Sequence, residues 1–314
     1  MPEFQCAVAS RERDDDLFAT ASQVRRWLLI EVRGAWGRDA VNDTALAEHV
    51  TPQWQQSLRA AGIRPIAIRR DLRKTAGDGE TSGAAQMFFV ETGHGPNRPG
   101  RIWHRTVTDL ADVADVAVPT GEIPADDVES GPGSPGSGWD RHEGQLHLVC
   151  THGRHDSCCA TFGRPLVRHL RTSAVAESVW ECSHVGGDRF AANLVVLPDG
   201  LYFGRVSADD ADALLERLLR DELDLDHYRG RSTQSFEAQA AEQFLRRELG
   251  LTGIGDIVEI VRGDGLHHRM TLATGEVLSV TIARELVIAP TPLTCQGSPG
   301  AGSPVFHLVA ITPV

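Results

Sequence analysis

The chain of 314 residues is 41% apolar and 24% charged, the proportions of an ordinary soluble globular protein, and it is long for one core. Its formal net charge of −12 disfavours nucleic acid or an anionic membrane as the main partner, because both reward basic patches. The first residues are polar and acidic and no apolar run is long enough to cross a bilayer, so a cytoplasmic protein is expected.

In chain order, residues 1–24 carry Cys6 and the acidic run Asp14-Asp15-Asp16 and read as a short lead-in. Trp27–Val32 reads as a buried strand. Ala45–Ala61 has helical spacing, with Leu46, Val50, Trp54 and Leu58 on one face. Strands are expected at Pro65–Ile68, Met87–Val90 and Ile102–Val107, then a weak helix near Leu110–Val116. The stretch Glu129–Gly138 has no apolar residue and reads as a linker between domains.

The second part repeats the order of the first. Gln145–Cys150 is a predicted strand, Gly163–Ser173 a helix and Ser178–Ser183 a strand. A hairpin over Leu194–Leu197 and Leu201–Val206 turns at Pro198-Asp199-Gly200, and Ala211–Glu222 is an amphipathic helix. Strand-helix-strand, hairpin, helix is the order of a thioredoxin-like α/β fold, and the openings after Trp27 and Leu146 suggest two tandem copies. Four units follow from this: residues 1–128, the linker 129–138, residues 139–226, and a small C-terminal α+β unit at 227–314. In the last, a helix spans Ser235–Leu249 with Phe236, Ala240, Phe244 and Leu245 inward. Strands follow at Asp256–Arg262, His267–Leu272, Val277–Ile282 and His307–Ile311.

Four of the six cysteines, Cys150, Cys158, Cys159 and Cys182, crowd into one stretch, and His184 lies two residues beyond the last. In a reducing compartment such clusters more often bind metal or do redox chemistry than form structural disulfides. Cys150 ends a strand, Cys159 precedes a helix, and His184 opens a turn containing Gly186-Gly187. Soft sulfur and imidazole donors therefore come from two loops at one end of a sheet, the composition of a metal or iron–sulfur site. Cys6 and Cys295 stand alone and read as structural, His267-His268 as a surface pair, and Arg69-Arg70 as solvated ends. No carboxylate pair placed for glycoside hydrolysis stands out.

The residues Cys150-Thr151-His152-Gly153, Asp156, Cys158-Cys159-Ala160, Gly163-Arg164-Pro165, Trp180-Glu181 and Ser183-His184 with Gly186-Gly187 resemble the sucrase/ferredoxin-like family of thioredoxin-like ferredoxins. Asp188-Arg189-Phe190-Ala191, Leu197–Gly200, Arg26-Trp27-Leu28 and Tyr228–Ser232 extend the match. The resemblance implies a thioredoxin-like fold, a 2Fe–2S cluster in the second module, and a first module without one. In relatives, two cysteines and the two histidines of a His-x-Gly-Gly-His turn hold the cluster. By position, Cys150, Cys159 and His184 correspond, and Asp188 departs from the pattern. Either Asp188 ligates through oxygen, Cys182 replaces it, or the fourth ligand is lost. Thiolate is the softer and commoner ligand, which favours Cys182.

The leading expectation is an electron carrier, not a stand-alone enzyme, exchanging electrons with a redox partner protein that presents a basic docking surface. The alternatives are a thiol oxidoreductase using a dithiol drawn from Cys158, Cys159 and Cys182, or a structural zinc site at the same ligands. Cys158 is open to three roles: a spare buried thiol, an alternative ligand, or half of a vicinal disulfide.

Overall fold

Strand β1 (Arg26–Glu31) alternates its side chains between two apolar surfaces, and that alternation organises the whole molecule. The computed structural model describes residues 4–70, 84–93, 99–118, 138–264 and 266–314. The expected linker at 129–138 lies, but for Gly138, outside the described residues. The architecture is mixed α/β, with one large mixed sheet and a smaller antiparallel sheet.

In the first half, β1 pairs in parallel with β2 (Ile63–Arg69) and antiparallel with β3 (Ala85–Glu91), which pairs with β4 (Arg101–Val107). In the second, β6 (Leu146–Cys150) pairs in parallel with β7 (Val179–Cys182) and antiparallel with β8 (Leu194–Leu197), which pairs with β9 (Leu201–Phe203). The two halves thus have the same strand order. They join where β2 meets β7 antiparallel, through Ile68 opposite Cys182 and Arg69 opposite Glu181. Edge strands β5 (Asp140–His142), beside β4, and β10 (Tyr228–Arg231), beside β9, complete ten strands. Beyond the expected linker, therefore, Asp140–His142 still belong to the first half's sheet.

One face of this sheet carries a single apolar cluster that runs through both halves, from Trp27, Leu29, Ile68 and Phe88 to Leu148, Cys150, Trp180 and Tyr202. The opposite face is divided. Leu28, Ile30 and Phe89 pack with Leu58 of helix α2 (Pro52–Ala60). Val149, Leu194 and Val196 pack beneath helices α3 (Ser157–Leu170) and α4 (Ala208–Leu218). The smaller sheet, β11 (Ile257–Arg262), β12 (His267–Leu272), β13 (Val277–Ile288) and β14 (Gly302–Pro313), receives Ala240, Ala241 and Leu245 of α5 (Phe236–Leu249). Among the described residues no helix is long and apolar enough to cross a membrane.

Several expectations are corrected. The helix over Ala45–Ala61 is two pieces, a 3-10 turn at Ala45–Glu48 and α2, because Thr51 caps at Trp54 N–H (3.1 Å) and Pro52 can only begin a helix. Residues 1–24 include a helix, α1 (Cys6–Glu12), with Cys6 fully buried. Helix α3 begins six residues before the expected Gly163, so Cys158 and Cys159 lie in its first turn. Phe236 is 37% exposed and does not face inward. His267 and His268 point to opposite faces of β12, and His268 is fully buried. Arg69 is buried too, ion-paired with Glu181 at 3.2 Å and stacked on Trp36.

Candidate metal centre

Strand β6 lies between β7 and β8, so every residue to Cys150 is buried. The chain then loops through Thr151–Asp156. The Asp156 carboxylate accepts the Cys158 N–H at 3.0 Å and so starts α3, which puts Cys159 in its first turn. Gly163 lets α3 approach the end of β6, because a Cβ there would collide with the Cys150 carbonyl.

The second loop follows β7. Gly186 and Gly187 have φ of +99° and +82°, the left-handed region that favours glycine, and a Cβ at Gly187 would strike the Arg229 guanidinium. Side-chain donors hold the turn's carbonyls. Arg64 donates to His184 O (2.8 Å), Ser22 to Val185 O (2.8 Å), Arg229 to Gly186 O (3.0 Å) and Asn193 to Gly187 O (2.9 Å). Arg229 also binds Asn193 Oδ1 at 2.7 Å.

These loops bring Sγ of Cys150, Sγ of Cys159 and a ring nitrogen of His184 within 4.8 Å of one another. Asp188 adjoins the group. Its Oδ1 lies 2.8 Å from His184 Nδ1 and accepts the Cys159 thiol at 3.2 Å. His155 stacks on His184 with ring centroids 3.9 Å apart, and its Nε2 is 3.9 Å from Asp188. His155, His184 and Asp188 form a second, overlapping donor group. Cys182 is fully buried in the apolar cluster opposite Ile68 and falls in neither group. Cys158, beside Cys159, faces away towards Cys295, 3.5 Å between sulfurs.

The charges support one another. The Cys159 thiol, with His184 next to it, holds the buried Cys150 thiol well below its ordinary value. The Cys159 thiol is pushed well up by that same interaction, by burial and by Asp188. Burial alone would depress His184, but Asp188 and Cys150 outweigh it and raise the imidazole to about 9. Burial would raise Asp188, and His184 instead holds it below the usual carboxylate range. A thiolate, a carboxylate and an imidazole that gives up its proton when a metal binds stand around one point as a donor set.

The first half completes the site. His152 is buried, its Nε2 is 2.7 Å from Gly37 O, and its Nδ1 accepts the His184 N–H at 3.3 Å. That pairing sets Nε2 as the protonated nitrogen. A cleft of about 430 Å³, lined by Arg38, Asp39, Arg64, His155 and His184 among others, opens between the halves. The imidazoles reach solvent (26% exposed for His184, 35% for His155), whereas the thiols do not.

Of the residues named from the sequence, the structure brings together Cys150, Cys159, His184 and Asp188 and leaves Cys182, the favoured fourth ligand, apart. The sequence reading gave no site role to His155, His152 or Arg229. The first two stand between Cys150 and Cys159 in a loop whose length alone would have placed them near both sulfurs; Arg229 was marked only by lying in the Tyr228–Ser232 stretch of the resemblance.

No curated protein matches the chain. Among solved structures, a cysteine-to-serine variant of the thioredoxin-like 2Fe–2S ferredoxin from Aquifex aeolicus is similar at 18% identity, with a TM-score of 0.25, over 27% of this chain and 97% of that one. The family model described as sucrase/ferredoxin-like matches residues 17–230. That span begins ahead of β1, reaches into β10 and contains every donor of both overlapping groups. The chain belongs to the sucrase/ferredoxin-like family.

Proposed function

We propose that the protein is a one-electron carrier in which Cys150, Cys159, His184 and Asp188 hold a 2Fe–2S cluster. The observation that carries this is the meeting of two buried thiols and an imidazole from two loops at one end of the sheet. The donor set suits the group. Cys150 and Cys159 supply two thiolates, and His184 and Asp188, already in contact, supply the mixed pair. Pairing of unlike ligands on the two irons has a precedent in Rieske centres, where histidines replace two cysteines on one iron. Asp188 is preferred to Cys182 here because it touches both His184 and Cys159, whereas Cys182 is packed among apolar side chains. When bound, the cluster supplies one reversible electron; the chain buries the sulfurs, leaves the imidazole edge open, and sets the charge around it.

The same reading takes the two halves as tandem thioredoxin-like modules, supported by their matching strand order. Among the described residues the first holds no candidate donor group made wholly of its own side chains, and Asp140–His142 belong with it. It covers the site through Gly37 and Arg64. The C-terminal unit from residue 232 onward is a third. A redox partner with a basic surface would approach the cleft at His155 and His184, consistent with the net charge of −12.

Anaerobically purified protein should be red-brown, contain iron and acid-labile sulfide, and give a reducible paramagnetic signal. Cys150→Ser and Cys159→Ser should each abolish these. A colourless protein after anaerobic reconstitution, or zinc in place of iron and sulfide, would end the proposal. Disulfide turnover that survives His184→Ala would instead favour the dithiol reading.

A further inference from the structure

We propose that Cys6, Cys158, Cys295 and Asp156 form a second metal site, separate from the donors above, that takes a zinc ion. The four side chains come from three segments far apart in sequence: the first residue of α1, the start of α3, and the loop between β13 and β14. Cys6 and Cys295 are 289 positions apart, and both lie outside residues 17–230 matched by the family model.

The geometry is that of a coordination shell. The Cys295 sulfur is 3.5 Å from the Cys158 sulfur and 3.5 Å from that of Cys6. The Cys6 sulfur is 3.6 Å from both carboxylate oxygens of Asp156. All four ligand atoms lie within 4.8 Å of one another. Tetrahedral zinc with bonds of about 2.3 Å to sulfur sets neighbouring sulfurs about 3.8 Å apart, so little movement is required. A disulfide, with sulfurs about 2.05 Å apart, would use two of the three thiols and leave the third beside a carboxylate.

The surroundings fix the donors. Cys6, Cys158 and Asp156 are buried, at 0%, 0% and 1% exposure, and Cys295 leaves one side open to solvent. The Asp156 carboxylate is oriented by the N–H groups of Cys158 (3.0 Å) and Cys295 (2.8 Å). Ala7 and Ala191 pack round the group, with Phe4 and Phe162 against them. Three thiols and a carboxylate meet with three of the four side chains out of water, and sulfur-rich tetrahedral sets are those zinc takes, displacing the thiol protons. The ion would pin α1 and the C-terminal loop to the first turn of α3. Because Cys158 and Cys159 face different groups, it would also fix the rotation of the turn that presents Cys159.

The test is zinc counting by mass spectrometry on the full-length protein, stripped of metal under reducing conditions, incubated with Zn²⁺ and desalted. The wild type should retain one zinc ion that Cys150→Ser also retains. Cys295→Ser and Cys6→Ser should each lose it, lowering zinc affinity about tenfold or more, the least expected for removing a direct ligand. Cys295→Ser, on a partly exposed loop, should keep the wild-type melting curve in zinc-free buffer, so the loss is not one of folding. Zinc should raise the melting temperature of the wild type and not of Cys295→Ser. Equal zinc retention by the wild type and the Cys6→Ser/Cys295→Ser double variant would overturn the proposal. So would a disulfide among the three cysteines in protein purified without reductant and alkylated unfolded. The outcome does not depend on whether the first site holds a cluster.

Discussion

One oxygen of Asp188 lies 2.8 Å from Nδ1 of His184, four positions earlier, and accepts the Cys159 thiol at 3.2 Å. A single carboxylate therefore bridges the two loops that form the centre. Asp188→Ala should lower the cluster's retention about tenfold or more, as loss of a direct ligand does, whereas Cys182→Ala should leave iron content unchanged. Asp188→His should keep the cluster and raise its potential, because imidazole replaces a negative ligand; His184→Cys should lower it. Iron assays and redox titration check these, and iron lost from Cys182→Ala alone would reverse the assignment.

Arg229 is 1% exposed, and its guanidinium serves Gly186 O, Asn193 Oδ1 and Thr20 Oγ1 at 3.0, 2.7 and 3.0 Å. Arg229→Met strands the buried acceptor of Asn193 and the part-buried ones of Gly186 and Thr20, at about 1–3 kcal/mol for the buried one and less for the others, so a loss of about 2 kcal/mol or more is expected in urea unfolding of the metal-free protein. Arg229→Lys should recover only part, since an ammonium lacks the planar fork that reaches all three.

The junction of the two halves rests on the buried pair Arg69–Glu181, at 3.2 Å with both side chains 5% exposed. Glu181→Ala should destabilise the fold by about 3–5 kcal/mol, because it leaves a guanidinium buried without its partner. Arg69→Met combined with Glu181→Leu should recover most of that loss, a non-additivity visible in denaturant midpoints.

His147 is 3% exposed on β6, with Nδ1 2.8 Å from Ser178 Oγ, and burial lowers its pKa to about 4. Its unfolded value is about 6.5, so between these limits the unfolded chain binds more protons. The stabilising contribution is fully present above pH 6.5 and lost as pH falls towards 4, amounting to about 3 kcal/mol at roughly 1.4 kcal/mol per pKa unit. His147→Asn should flatten the stability curve across that window; an unchanged slope would show that other groups set it.

Much of the large sheet was legible before the structure. Strands β1, β2, β6 and β8 lie buried on both faces and read as apolar runs bounded by turn residues. The start of α3 was not, because Gly163 and Pro165 resemble a helix beginning; Asp156 as the cap was the overlooked signal. The outer ends of β13 and β14 were missed because residues 284–288 are exposed and present no core face to give a period. Cys6 and Cys295 read as solitary because nothing local links positions 289 apart.

What the sequence by itself determined is the chemistry on offer: soft donors at Cys150, Cys159 and His184, in loops that glycine allows to turn tightly. Only the tertiary structure decided which donors meet. It drew Asp188 and His155 to His184, set Cys182 among apolar side chains, and carried Cys6 and Cys295 to Cys158. The physical reason is that periodicity records which way a side chain faces on its own element. Which elements become neighbours depends on strand order and on the packing of distant segments, and no local pattern encodes that.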